Sequence, residues 1–182
     1  MLGPVDQPGV ELLVRLTARV SGATFAAALI LFAAGDQQNR RRLDFATRLF
    51  AGFVVAHTVH FLTVAWLAVV TAGENIRERD GWPGVVTVAL LFYLAVFSVL
   101  RAWGNAALGQ PSSRSLRVTA NVAVVAIAAV FLNSYLARVA RMPVYWLPAV
   151  GLAGILAAYF IRTRGAALLA LRGQRSGADA SG

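Results

Sequence analysis

Residues 43–72 read LDFATRLFAGFVVAHTVHFLTVAWLAVVTA. After Arg48 no Asp, Glu, Lys or Arg occurs until Glu74, and the only ionisable groups between them are His57 and His60. A helix needs about 20 mainly apolar residues to cross the hydrocarbon core of a bilayer. The stretch therefore predicts a transmembrane helix, long enough to tilt or protrude. Two histidines near its middle sit where an ionisable side chain is most costly.

The same pattern recurs outward from this segment, predicting further spans over 10–34, 83–100, 118–136 and 145–161. The third is entered through Asp80-Gly81-Trp82-Pro83, where proline suits a first helical turn. Composition agrees: 58% of the 182 residues are hydrophobic and 14% charged, with a mean hydropathy of +0.66. A soluble domain carries nearer 25% charged residues, so a soluble globular enzyme is excluded. The fold class expected is all-α, a polytopic integral membrane bundle of five transmembrane helices in a single domain spanning 1–182. A small, polar tail over about 173–182 is expected to be disordered. The turn at Gly109-Gln110-Pro111-Ser112-Ser113 reads as the loosest point of the bundle. Gly22 with Ala26, and Gly151 with Gly154, mark seams where helices can approach closely or a dimer could form.

All 17 basic residues are arginine, and the formal net charge is +9. Without lysine there is no Schiff base to retinal or pyridoxal phosphate and no P-loop lysine. Without cysteine there is no disulfide, thiolate metal site or thiol nucleophile. No basic run is interleaved with stacking aromatics, so nucleic acid is not an expected partner. The arginines instead report topology. Those at 40–42, 48, 101, 114, 117 and the C-terminal flank fall on one side; Arg77, Arg79, Arg138 and Arg141 fall on the other. The positive-inside rule then places the N-terminus outside and the C-terminus in the cytoplasm. The chain is expected in a membrane as a multi-pass protein, the bacterial inner membrane being the compartment that fits. Residues 1–10 show no basic n-region of a cleaved signal peptide.

Three polar constellations in or near the spans are candidates for function. His57 and His60, three apart, share one helix face. Neutral imidazoles can act as acid/base groups, ligate a metal or haem, or shuttle a proton; they can equally serve as hydrogen-bond glue between helices. Glu11, Arg15 and Arg19 form a charged stripe on the first helix. Without it the apolar run 20–34 is about 22 Å long, short of the ~30 Å core. Arg15 and Arg19 could hold an anionic group such as a haem propionate, a lipid phosphate or a carboxylate, or snorkel to the interface. At the outer rim, Asn75, Asn133 and Tyr135 are candidate ligand-binding residues, with Ser134, Arg138, Tyr145 and Trp146 beside them. The plainer account of that rim is an aromatic belt.

Several chemistries fall away. A His-x-x-His pair on one helix cannot give both axial ligands of one haem, leaving a single-His haem. A zinc hydrolase wants a third protein ligand, and neither HExxH nor a mid-membrane carboxylate pair is present. The Trp-rich motifs of the translocator-protein family are absent. Ferric-reductase-like haem domains place their ligands on separate helices or far apart, unlike His57 and His60.

The leading expectation is a membrane protein with an intramembrane pocket for a lipophilic, anionic ligand. His57 and His60 would be its catalytic or metal-ligating floor and Arg15 and Arg19 its clamp. Haem b is the cofactor that best suits a single imidazole. Oxidoreductase or isomerase chemistry on a lipid, quinone or isoprenoid suits neutral imidazoles better than hydrolysis. The expected partners are membrane lipids, a lipophilic small molecule, and a second copy or larger membrane complex. The alternative is a non-enzymatic accessory subunit in which the histidines only pack helices. A small transporter ranks third, because it needs a continuous polar path and the cytoplasmic halves of the first, third and fifth helices show few polar groups apart from Ser98 and Tyr159; nor do five spans form two equal inverted repeats.

Overall fold

A computed structural model describes residues 7–34, 39–71, 81–139 and 141–179, with side chains at 81–85 and 164–179 excepted. It contains α1 (Gln7–Ala34), α2 (Arg40–Val70), α3 (Gly81–Leu108), α4 (Arg114–Val139), a 3-10 turn (Pro143–Tyr145) and α5 (Trp146–Asp179). Each holds a segment long and apolar enough to cross a membrane. The chain is therefore all-helical, with the expected five helices long and apolar enough to span a membrane.

Most helix ends lie beyond the apolar limits. α3 runs eight residues past Leu100, through Arg101, and α2 starts at Arg40 rather than Leu43. Apolarity marks the part that fits hydrocarbon, whereas Arg, Ala and Leu continue a helix readily in water. The backbone of the last helix is helical to Asp179, across most of the stretch 173–182 where composition predicts a disordered tail.

The caps explain where the chain turns. Gly109 has φ +71° and is the αL residue of a Schellman ending: its N–H bonds Ala106 O at 3.1 Å, and Gln110 N–H bonds Asn105 O at 2.8 Å. Ser113 then caps α4, its Oγ accepting from Leu116 N–H at 3.2 Å. Asn105 Nδ2 donates to Ser112 Oγ at 3.2 Å, and Arg117 donates to Ser112 O. The turn at 109–113 is thus tightly held, and the expectation of a loose point is corrected. Asn39 caps α2 by accepting from Arg42 N–H at 3.3 Å.

Consecutive helices pack side by side, and α5 returns to α1, closing a ring of five. α1 and α2 run antiparallel with Phe25 on Phe53, ring centroids 5.0 Å apart. α1 and α5 run parallel, because Arg19 meets Tyr145 at one end while Arg162 lies over Phe32 at the other, 5.5 Å from its centroid. Aromatic rings fill the middle of the ring. Phe25 stacks on Phe131 at 5.7 Å, Phe50 meets Trp103 at 5.1 Å, and Phe32 lies on Trp103 at 4.1 Å and 12°. Between apolar helices in lipid, association rests on such close packing rather than on expulsion of water, and each aromatic pair adds roughly 0.5–1.5 kcal/mol.

The outward faces are apolar: Val55, Leu62, Trp66 and Val69 of α2 and Leu90, Leu94 and Phe97 of α3 are exposed. An apolar girdle of this kind belongs against lipid tails, not water. Gly22 serves as the expected seam, with Phe131 and Tyr135 of α4 lying directly over it. Gly151 and Gly154 do not serve within the chain, since a Cβ at either would meet nothing within 4 Å.

Candidate functional site

The histidines of α2 face α1, and each finds a hydroxyl there. His57 Nδ1 lies 2.7 Å from Ser21 Oγ, and His60 Nδ1 lies 3.1 Å from Thr17 Oγ1. Thr63 Oγ1 completes the cluster, 3.2 Å from Thr17 Oγ1. The geometry follows from antiparallel pairing: Thr17 and Ser21, four apart, project one above the other on α1 and meet residues three apart on α2.

The hydroxyls around His60 also reach backbone carbonyls. Thr17 Oγ1 has one proton and lies 2.9 Å from Leu13 O and 3.1 Å from Val14 O, both pure acceptors. Thr63 Oγ1 donates to His60 O at 2.8 Å. Two arrangements satisfy these contacts: Thr17 donates to a carbonyl and accepts from His60 Nδ1–H, which leaves the lone pair on Nε2, or Thr17 donates to an unprotonated Nδ1 and Nε2 carries the proton. The His60 imidazole also makes a hydrogen bond with the backbone of Val14 on α1.

Around His57 the walls are phenyl rings. Phe61 and Phe92 centroids are each 4.6 Å from the imidazole centroid, Phe53 is at 5.5 Å and Phe131 at 5.8 Å. His60 is 5.5 Å from His57 and is flanked by Phe61 at 6.5 Å. Further along α2, Thr58 Oγ1 shares a 2.8 Å hydrogen bond with Tyr93 Oη of α3.

This arrangement does not suit haem b or a protein-caged metal. Four phenyl rings crowd the His57 imidazole, where a macrocycle would have to lie. Among the described residues no third His, Cys, Asp or Glu joins the pair, so a metal would have two protein ligands against the three or four that zinc sites use.

The arginine clamp does not join the histidines. Arg19 is two residues from both Thr17 and Ser21, which turns it about 200° from each. It donates instead to Tyr145 Oη at 3.4 Å. Tyr145 stacks on Tyr135 at 6.3 Å, and the Tyr135 hydroxyl rests over Gly22. Arg15 pairs with Glu11 at 3.4 Å in an exposed i, i+4 bridge, a contact worth a few tenths of a kcal/mol. Asn133 is exposed on α4, away from both clusters. Asn75 lies outside the described residues. The structure therefore divides the expected single pocket into a His–hydroxyl cluster between α1 and α2 and an Arg–Tyr rim between α1, α4 and α5.

Thr17 and Ser21 are the residues that sequence reading missed. Their signal was available: two small hydroxyls four apart in a span, matching an imidazole pair in the next antiparallel span. Asn121 was missed likewise; it accepts from the buried Tyr159 hydroxyl at 2.6 Å and ties α4 to α5.

No protein family, curated protein or solved structure compared with the chain matches it.

Proposed function

We propose that this chain is a multi-pass protein of the bacterial inner membrane, N-terminus outside, that binds a hydroxyl-bearing lipophile at the Nε2 atoms of His57 and His60. The observation that carries this reading is the engagement of both Nδ1 atoms by α1 hydroxyls. A hydrogen bond to one ring nitrogen fixes the tautomer and orientation of the other, which is how imidazoles that hold a ligand or move a proton are prepared. His60 Nε2 accepts a proton or hydrogen bond from a lipid, quinol or isoprenoid hydroxyl, and His57 sits beside it within the phenyl cage. The chemistry open to such a pair is proton transfer, as in an isomerisation. Arg15 and Arg19, facing elsewhere, take no part.

The accessory-subunit reading is favoured by a different fact: Ser21 is fully buried and its one recorded side-chain hydrogen bond goes to His57. In that case the bond joins helices and nothing more. His57→Ala and His60→Ala separate the two readings. Under the binding reading, wild-type protein purified in mild detergent releases a lipophile on solvent extraction that mass spectrometry no longer finds in either variant, while both fold. Equal loss of folded yield with an unchanged extract supports glue.

A further inference from the structure

We propose that the groove between the start of α2 and the end of α3 is a binding site for an anionic glycerophospholipid. Its phosphate would lie at Arg40 and Arg41 and one acyl chain along Gly104 and Ala107. The groove has a volume of about 370 Å³ and is lined by Arg40, Arg41, Asp44, Thr47, Gly104, Ala107 and Leu108. Its polar groups come from α2 and its small and apolar ones from α3, which is the division a headgroup and a chain require.

Four observations converge on it. Arg40 reaches across from α2 onto the C-terminal turn of α3: a Cβ at Gly109 would lie 2.7 Å from Arg40 Nη2. Among the described residues neither Arg40 nor Arg41 donates a side-chain hydrogen bond or forms an ion pair. Asp44, the carboxylate in the groove, is engaged by Arg48 Nε at 2.9 Å. Two guanidinium groups, with five donors each, are thus left facing a cleft. Gly104 keeps the floor open, since a Cβ there would meet nothing within 4 Å. The same end of the bundle carries Arg42, Arg48, Arg101, Arg114, Arg117 and Arg162, so its field attracts anionic headgroups. Basic clefts between membrane helices are suited to such lipids, and guanidinium binds phosphate bidentately.

The test is native mass spectrometry of the detergent-purified full chain titrated with dioctanoyl-phosphatidylglycerol, dioctanoyl-phosphatidylcholine or inorganic phosphate. The wild type should bind the glycerol lipid at least about fivefold tighter than the choline lipid, with inorganic phosphate failing to compete. Arg40→Gln/Arg41→Gln should erase that preference. Gly104→Leu fills the groove with every charge intact and should weaken glycerol-lipid binding by a similar factor. Arg42→Gln/Arg114→Gln removes the same charge from the same end outside the groove; it weakens the general field and should reduce the preference far less than Arg40→Gln/Arg41→Gln does. A preference that survives Arg40→Gln/Arg41→Gln, falls equally in Arg42→Gln/Arg114→Gln, or ignores Gly104→Leu would mean diffuse surface charge and overturn the site. Competition by inorganic phosphate at the lipid's own concentration would overturn the lipid assignment. Thermal melts of each variant establish that it is folded; because Gly104→Leu raises helix propensity, its loss of binding is read on a fold at least as stable as wild type.

Discussion

Ser21 Oγ and His57 Nδ1, 2.7 Å apart, join α1 to α2 in the middle of the bundle. Because Ser21 is completely buried, its hydroxyl has no water to turn to if the imidazole is removed. A double-mutant cycle of Ser21→Ala and His57→Ala should return a coupling of about 0.5–2 kcal/mol, the range found for interhelical hydrogen bonds in membranes. Reversible unfolding in mixed micelles measures it. A coupling of zero would mean the two groups do not share the bond.

Glycines should sort by what lies over them. A Cβ at Gly22 would sit 2.7 Å from Tyr135 Oη and 3.3 Å from Phe131 Cε1. Gly22→Ala therefore makes the Tyr135 and Phe131 rings give way and should cost about 1–3 kcal/mol. Gly151→Ala meets nothing and should be neutral or stabilising by about 0.5–1 kcal/mol through helix propensity. Thermal melting of the two single variants compares them directly.

Trp103 is 2% exposed, and its indole Nε1 makes no well-aligned hydrogen bond, its nearest polar neighbour being the Tyr159 side chain. Its main contribution is packing, chiefly on Phe32. Trp103→Ala should lose about 3–5 kcal/mol. Trp103→Phe keeps much of the ring contact, sheds an unsatisfied donor, and should lose clearly less. If both variants lose the same amount in an unfolding titration, the N–H is being used.

The Arg–Tyr rim is separate from the histidines. Arg19→Gln removes a 3.4 Å contact to Tyr145 that is open to solvent, so stability should change by less than about 1 kcal/mol. Retention of any lipophile held at His57 and His60 should not change. A loss of that molecule in Arg19→Gln, measured in the same extraction, would rejoin what the geometry separates.

Orientation has its own readout, because the chain has no cysteine. In intact cells a membrane-impermeant maleimide should label Val144→Cys and spare Ser115→Cys, both positions being exposed. The reverse pattern would invert the topology.

The spans were legible because hydropathy is a property of single segments: a run such as 49–73 is apolar whatever it packs against. The helix ends were less so, since Arg101 leaves the hydrocarbon without leaving the helix. The turn at Gly109 was misread as loose because glycine, proline and serine signal a turn without revealing that its carbonyls are capped. At the site, His57 and His60 stood out by their cost, but their partners depend on which helix lies opposite and in what register. Arg19 was placed with them because it shares their membrane half; its helical phase, two residues from Thr17 and Ser21, already pointed the other way. The seams at Gly151 and Gly154 show the same limit, because a small residue permits a close approach that nothing in this chain makes.

The central claim is that α1 hydroxyls hold the imidazoles so that Nε2 is presented to a lipophile. Nitrogen-15 NMR of histidine-labelled protein in lipid bilayers tests it most directly. The account predicts a protonated Nδ1 and an unprotonated Nε2 at His60, with the Nε2 resonance shifting when bound lipophiles are stripped and returning when the extract is restored. An unprotonated Nδ1, or an Nε2 resonance indifferent to stripping, would contradict it.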